Sequence, residues 1–277
     1  MSTRQERRRQ ERLEKKNNPK TYSFDVPMRF IQPWSCPVLM TRLPDHVLGK
    51  MLEITDEVFE KKEKSWGENL AGQIESELIV PHEMLQEAGV FNFFHDIISH
   101  YVQEVKKQMY GPEGEQMVAN EKWLVQMLSM WVVNQFPGEY NPTHMHTQCQ
   151  ISSAMYLKVP KFKESRKKHR DRDDGSIVFT GAAGRDLGLC QPTWQWRPRV
   201  GDMFIFGAQQ LHHVYPFLVE EGDPERRCVA YNAITSTQSE QDEFAKQEQA
   251  MKDESLKTVD FGSTTGKAGS HTQKKIR

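Results

Sequence analysis

The segment THMHTQCQISSAMYLKVP, residues 143–160, decides how the fold of this chain is interpreted. It places His144 and His146 two residues apart and follows them with an apolar run typical of a β-strand. Successive side chains of a strand point to opposite faces, so two histidines at this spacing share one face and their ring nitrogens can converge. The pair is therefore either a set of metal ligands or two polar residues that stand at the rim of a sheet by chance.

The second half of the chain has the texture of an all-β core. Short β-branched and aromatic runs alternate with Gly, Pro, Asp and Asn turns, which predicts a β-sandwich or barrel. The runs are KWLVQMLSMWVVNQF, ISSAMYLKV, GSIVFTG, PTWQWRP, DMFIFGAQQ and RRCVAYNAI. The lysine-rich insert KFKESRKKHRDRDDG, residues 161–175, interrupts these runs and predicts an exposed loop over the mouth of the fold.

Two amphipathic helices are predicted ahead of this core. The runs PDHVLGKMLEITDEVFEKKEK and FFHDIISHYVQEVKKQMY carry apolar residues at helical spacing. Residues 30–43 are proline-rich and predict irregular or extended chain. We therefore expect a charged tail over 1–22 and one domain over 23–238, with helical support at about 44–110 and the β core at about 120–236. Residues 239–277 are polar; part of this tail can be helical, and its end is predicted to be disordered.

Composition excludes several classes of protein. The 277 residues carry a formal net charge of −1, which gives no whole-molecule reason to expect a nucleic-acid or membrane surface. The basic arm at the N-terminus remains a possible contact for protein or nucleic acid. The four cysteines are scattered without CxxC spacing, and no apolar window is long enough for an export signal or a bilayer span. These features favour a reducing, cytoplasmic location and no membrane partner.

A possible third ligand follows much later in the chain. The run VGDMFIFGAQQLHHVYPF, residues 200–217, reaches His212 and His213 near the far end of a predicted buried strand. Non-haem iron sites hold the metal with three side chains on one face, usually two histidines and a carboxylate. Here His146 stands where the carboxylate is expected. Neutral imidazole suits iron, zinc, copper and nickel alike, so the pattern alone leaves the metal open.

The order of five motifs resembles the iron(II)- and 2-oxoglutarate-dependent oxygenases of the double-stranded β-helix superfamily. The motifs are NQFPGEYNPTHMHTQCQISSAMYLKVP, DDGSIVF, RPRVGDMFIFGAQQ, LHHVYPF and ERRCVAYN. They are most similar to a branch of oxygenases, common in bacteria and marine phages, that carries H-x-H and H-x-V-x-P-F. The resemblance covers residues 123–235 and implies an α+β protein: a jelly-roll, cupin-like core with N-terminal helices packed on it and charged, disordered termini.

The resemblance also implies a set of site residues. His144, His146 and His212 would be the metal ligands and catalytic residues, with His212 chosen because the family motif aligns with it rather than with His213. Arg226 would bind the distal carboxylate of 2-oxoglutarate, since its planar fork matches a carboxylate. The remaining cosubstrate-binding candidates are Tyr156, Cys228 in place of the family serine, Asn134 and Asn232.

The activity implied is hydroxylation of an unidentified substrate with Fe(II), 2-oxoglutarate and dioxygen, releasing succinate and carbon dioxide. The substrate could be a peptide, a nucleic acid or a small metabolite. The alternative is a non-catalytic β-helix scaffold or assembly protein, possibly phage-encoded, with a degenerate metal site. The long charged tails and the missing carboxylate favour that alternative, whereas the three histidines and Arg226 favour the enzyme.

Overall fold

The computed structural model describes residues 26–31, 37–163, 174–181 and 192–258. The predicted tail over 1–22, most of the basic insert and the chain end from residue 259 lie outside the described residues. Among the described helices, none combines the length and apolar character needed to cross a membrane. Cys149 and Cys228 are free thiols.

The helices lie mainly before the β core. A 17-residue helix with a buried apolar face comes first, and a 20-residue helix follows it after a short intervening one. The described helices are α1 (Asp45–Lys61), α2 (His82–Glu87), α3 (Phe91–Tyr110), α4 (Pro112–Asn120) and α5 (Gln238–Thr258), with a 3-10 turn at Gly67–Asn69. The two predicted amphipathic helices are therefore confirmed as α1 and α3.

The strands match the predicted β runs within a few residues at each end. They are β1 (Met28–Ile31), β2 (Val38–Arg42), β3 (Ser76–Ile79), β4 (Trp123–Gln135), β5 (Asn141–His144), β6 (Ile151–Lys158), β7 (Ile177–Thr180), β8 (Thr193–Trp196), β9 (Asp202–Gly207), β10 (His212–Val214) and β11 (Arg226–Thr237). Strand β2 falls in the segment expected to be irregular or extended, β1 overlaps its start, and β3, β5 and β10 were not among the predicted runs. His212 was expected near the far end of the strand that is observed as β9, and it instead begins the separate strand β10.

The described strands form two antiparallel sheets. One has the order β1-β2-β9-β6-β11-β4-β3 and the other β5-β10-β7-β8. From β4 onward the chain crosses between the two sheets at every connection except that from β7 to β8, so that β4, β11, β6 and β9 adjoin in one sheet and β5, β10, β7 and β8 in the other. This is the double-stranded β-helix, or jelly-roll, arrangement, and the sheets remain separate rather than closing into a barrel.

The larger sheet has a different environment on each face. Its outer face packs against α1, α2 and α3 in the main hydrophobic core. Its inner face meets the smaller sheet in a second apolar cluster, to which both sheets contribute. Residues on β11 alternate accordingly: Arg226, Cys228 and Ala230 face inward, and Val229 and Tyr231 face the helices. The two faces of this strand therefore follow the two-residue alternation expected of a β-strand.

Candidate metal centre

Three histidines converge between the two sheets. His144 ends β5, His212 begins the neighbouring strand β10, and the two residues are direct partners in the strand register. His146 follows β5 on the same side. The ring centroids lie 4.2 Å apart for His144 and His212, 5.4 Å for His144 and His146, and 5.3 Å for His146 and His212. One nitrogen of each ring lies within 4.8 Å of the other two, which is the geometry of a shared metal site.

Backbone carbonyls orient two of these rings. His144 Nδ1 lies 2.8 Å from the Pro142 carbonyl oxygen, and His212 Nδ1 lies 2.8 Å from that of Gln210. A carbonyl oxygen only accepts, so Nδ1 must carry the proton and Nε2 keeps its lone pair for a ligand. Burial lowers the pKa of both histidines, which keeps them neutral near pH 7.

His146 is held by its backbone and by its neighbours. Its amide N–H donates to the Ala208 carbonyl at 2.8 Å, and its ring lies 5.8 Å from that of Trp131. Burial is the main cause that lowers its pKa to about 4; proximity to His144 acts in the same direction and the Asn232 side chain in the opposite one. The third imidazole is therefore also neutral and able to bind a metal.

His213 occupies the other face of β10. It is half-buried, its Nδ1 lies 3.5 Å from Thr143 Oγ1, and its ring packs edge-on against Tyr215. It is not one of the three histidines that converge. The alternation of side chains along the strand thus separates the two adjacent histidines.

The histidines line one cavity with groups from four strands of the larger sheet. The space between its atoms, part of it open to solvent, amounts to about 560 Å³. Its walls are mainly apolar, and its polar lining includes Glu77, Tyr156, Arg226 and the three histidines. A surface groove that contains Trp66 and Met145 shares His144, His146, Leu70 and Ala71 with this cavity. A substrate can therefore approach the histidines from this groove.

Arg226 is buried in this cavity with most of its donors unused. Its side chain is 1% exposed, and the hydrogen bond it makes among the described residues runs from Nη1 to the Gly175 carbonyl at 2.7 Å. Its Nε has no partner, and no carboxylate of the described residues forms an ion pair with it. The guanidinium carbon lies 5.5 Å from the Tyr156 ring centre and 5.7 Å from that of Phe217. A buried cation without a counter-ion is costly, so this position suits an anionic ligand.

Tyr156 and Cys228 lie beside Arg226. They are register partners on β6 and β11, and both line the cavity. The Tyr156 hydroxyl is buried and has no hydrogen-bond partner in the part of the chain that the structure describes, and burial raises its pKa. Burial also raises the pKa of Cys228 to about 11, so this thiol is neutral and offers only a weak donor. An anion bound by Arg226 would find the Tyr156 hydroxyl as an additional donor.

The structure places the two asparagines predicted from the sequence in different environments. Asn232 lies in the groove beside His146. Asn134 does not line the cavity: its neighbours Trp131 and Val133 face inward, whereas Asn134 is the register partner of Arg227 on the helix-facing side. The two-residue alternation of β4 therefore places Asn134 away from the other candidates.

Glu77 is a polar cavity residue that the sequence analysis missed. It lies on β3 opposite Val133, faces the cavity and is 2% exposed. The only signal was a glutamate in front of the short apolar run Leu78–Val80, within a charged segment. Its position became evident only once β3 was paired with β4.

The donor set fits a divalent metal and a dicarboxylate. Three neutral imidazoles with free nitrogens suit a first-row transition metal, and with no carboxylate among them they leave its charge uncompensated. The unpartnered Arg226 Nε and Tyr156 hydroxyl suit the far end of an anionic ligand in the same cavity. Fold and site together define a mononuclear metal protein of the double-stranded β-helix type.

Comparison with known families narrows this class. Residues 129–232, which include all three histidines and Arg226, match the family model described as "Putative 2OG-Fe(II) oxygenase". Over this segment the chain is similar to the iron(II)- and 2-oxoglutarate-dependent oxygenases, enzymes that use Fe(II), 2-oxoglutarate and dioxygen, and its three convergent histidines fit iron binding. No curated protein matches the chain.

Distant similarity to solved structures is found as well. A prolyl-4-hydroxylase from Pseudomonas putida is 17% identical, with 70% of this chain and 91% of that chain covered and a TM-score of 0.40. A Trichoplax adhaerens prolyl hydroxylase, solved with a hypoxia inducible factor peptide fragment, is 11% identical, with coverages of 84% and 94% and a TM-score of 0.42. Because both TM-scores are below 0.5, these two structures add no evidence to the topology described above.

Proposed function

We propose that this protein is an iron(II)- and 2-oxoglutarate-dependent oxygenase, which hydroxylates a C–H bond of its substrate and converts 2-oxoglutarate to succinate and carbon dioxide. The observation that carries the proposal is one cavity that contains three convergent imidazoles and, beside them, a buried arginine that has no counter-ion among the described residues. A non-catalytic scaffold would have no use for unpaired buried donors, because leaving them unpaired lowers stability.

His144, His146 and His212 hold iron in this proposal. His144 and His212 bind it through Nε2, the ring nitrogen that their hydrogen bonds to backbone carbonyls leave free. Iron and 2-oxoglutarate supply the oxidising chemistry when bound: one atom of dioxygen enters succinate and the other enters the substrate. The carbonyls of Pro142 and Gln210 fix the orientation of two rings before any metal arrives. Such preorganisation reduces the cost of assembling the site.

Arg226 binds the distal carboxylate of 2-oxoglutarate, and Tyr156 donates a further hydrogen bond to it. Cys228 lines the same part of the cavity and contributes shape more than polarity. Asn232 contacts His146 rather than the cosubstrate. The apolar side chains Trp131, Val133 and Ile177 exclude water around the reacting groups.

The test is succinate formation by the iron-loaded protein from 2-oxoglutarate and dioxygen, with no added substrate. We expect slow turnover by the wild type and none by His212→Ala, with His213→Ala as the matched control that retains it. Equal rates in the wild type and His212→Ala, or no succinate from the wild type, would contradict the proposal.

A further inference from the structure

We propose that the substrate carries a basic nitrogen on an alkyl chain and that Glu77 binds this nitrogen inside the catalytic cavity. The inference rests on the oxygenase function proposed above and names the substrate class of the same site. It concerns a residue that lies outside the matched family region, residues 129–232.

The position of Glu77 is set by strand pairing. Strand β3 adds to the edge of the larger sheet beside β4, with Glu77 opposite Val133 and Leu78 opposite Val132. Leu78 packs into the helical core, so Glu77 must face the cavity. The backbone around it is fixed by the Trp66 amide, which donates to the Glu77 carbonyl at 2.7 Å. The carboxylate is thus placed by a rigid element rather than by a loop.

This carboxylate has no partner within the part of the chain that the structure describes. None of the hydrogen bonds or ion pairs there involves its oxygens, although the residue is 2% exposed. The charged group that acts on it is another acid, Glu139, whose own carboxylate accepts the amide N–H groups of Glu75 and Phe136. A second negative charge makes the ionised form of Glu77 still less favourable. A cation in the cavity would offset both costs.

Two glycines make room for the carboxylate. A Cβ added to Gly72 would lie 3.0 Å from Glu77 Oε1 and 2.6 Å from Asn141 Oδ1, and one added to Gly67 would lie 3.4 Å from Oε2. A side chain at Gly72 would therefore require Asn141 to move and the Glu77 carboxylate to shift slightly. The absence of a side chain at Gly72 and Gly67 leaves space for the carboxylate where it stands.

Glu77 and Arg226 serve different ends of the cavity. Val133 lies between Glu77 on one neighbouring strand and Cys228 on the other, so Glu77 and Cys228 are two strand spacings, or roughly 10 Å, apart. Arg226 lies two residues beyond Cys228 on the same face and makes no ion pair with Glu77. The cavity therefore has one site for an anion and a separate one for a cation.

The wall beside Glu77 suits an alkyl chain. Leu70, Ala71, Trp131 and Val133 contribute apolar surface to the same cavity as the histidines. A basic nitrogen bound by Glu77 would hold its alkyl chain along this wall and present a carbon to the metal centre. Because a buried carboxylate discriminates strongly against ligands without a matching donor, Glu77 would determine specificity.

Methyl NMR of the full chain tests the assignment without turnover. Val133 and Ile177, labelled with ¹³C in their methyl groups, report on the cavity. The probes are n-butylguanidinium and n-butylammonium chloride, with n-pentanol as a neutral analogue, at constant pH and ionic strength. We expect the chemical shifts of these methyl groups to change saturably when either cation is added. The affinity for the cation should be about tenfold lower or more in Glu77→Gln and unchanged in Glu68→Gln, which alters an exposed acid outside the cavity.

Three results would overturn the inference. They are equal cation affinity in the wild type and Glu77→Gln, a loss of n-pentanol affinity in Glu77→Gln as large as the loss of cation affinity, or no saturable shift with either cation. Zinc, which is redox-inert, and 2-oxoglutarate are each titrated into the wild type, Glu77→Gln and Glu68→Gln. We expect the three proteins to bind zinc with equal affinity and 2-oxoglutarate with equal affinity. Failure of the wild type to bind metal or 2-oxoglutarate would count against the proposed oxygenase and leave the cation result to be judged by itself.

Discussion

Arg226 and Arg227 are adjacent and both buried, yet the two faces of the larger sheet provide them with different partners. Arg227 faces α1, where its Nη1 donates to Asp56 Oδ1 at 2.6 Å and to Thr55 Oγ1 at 2.8 Å, while its Nε pairs with Glu225. Arg226 faces the cavity, and its hydrogen-bond partner within the described ranges is one carbonyl oxygen, that of Gly175. A saturated buried charge supports the fold, whereas an unsaturated one is available to a ligand.

Two buried carboxylates repeat the contrast. Asp202 is 1% exposed and accepts hydrogen bonds from the Trp196 indole and the Arg199 amide, both at 2.9 Å. Glu77 is as deeply buried and accepts none among the described residues. The difference again separates a structural group from one that faces the cavity.

The largest effect is expected for the three cavity histidines that we propose as metal ligands. Protein purified without oxygen should bind one Fe(II) per chain, and His144→Ala, His146→Ala or His212→Ala should each weaken binding by more than about a hundredfold. His213→Ala should bind like the wild type. Loss of binding in His213→Ala with retention in His212→Ala would show that the assignment on β10 is wrong by one residue.

Exchanging each arginine for methionine separates the two faces by stability. Arg227→Met should lower the free energy of unfolding by about 3 kcal/mol, because it removes the buried cation that pairs with the half-buried Glu225 and with Asp56. Arg226→Met should cause little loss, since it removes an unpaired buried charge. Urea unfolding measures both, and a larger loss for Arg226→Met would refute the distinction.

Glu77→Gln should stabilise the protein in a pH-dependent manner. Burial and Glu139 raise the pKa of Glu77 from 4.5 to about 7, so the folded state retains a proton that the unfolded chain releases. Wild-type stability should therefore fall as pH rises from about 4.5 to 7, whereas this contribution is absent in the variant. Above pH 7 the difference should approach about 3 kcal/mol. If the unfolding free energies of the wild type and Glu77→Gln depend on pH in parallel, this prediction is wrong. Glu68→Gln is the control and should follow the wild type.

A smaller effect is expected for the Tyr156 hydroxyl. Tyr156→Phe should weaken 2-oxoglutarate binding about tenfold, because it removes one hydrogen bond to a charged group. Its stability should not fall, since the hydroxyl has no protein partner. Calorimetric titration and thermal unfolding of the same variant give the two values, and unchanged affinity would remove Tyr156 from the cosubstrate site.

Alternation along strands explains what the sequence could predict. His144 and His146 two apart, and Arg226 and Arg227 adjacent, follow a period of two that is visible in the letters, and the structure places them on the expected faces. The motif order also indicated the fold, because five separated matches constrain the topology more than any one of them. Helices α1 and α3 were evident from their apolar spacing.

Residues whose position depends on long-range pairing were not predictable in the same way. Strand β3 has four residues, and nothing local shows that it adds to the sheet beside β4 and turns Glu77 inward. Asn134 was chosen by resemblance, and the register of β4 places it on the helix-facing side instead. Tertiary pairing rather than local pattern decided both cases.

The central claim is that Arg226 is unpaired because it binds the cosubstrate, and calorimetric titration of 2-oxoglutarate in the presence of zinc tests it most directly. We expect affinity to fall from the wild type to Arg226→Lys, which keeps the charge but loses the planar fork, and then to Arg226→Met, by about a hundredfold or more in all. Arg227→Lys, on the opposite face, should bind like the wild type. Equal affinity in the wild type and Arg226→Met would contradict the account, as would the absence of measurable binding by the wild type.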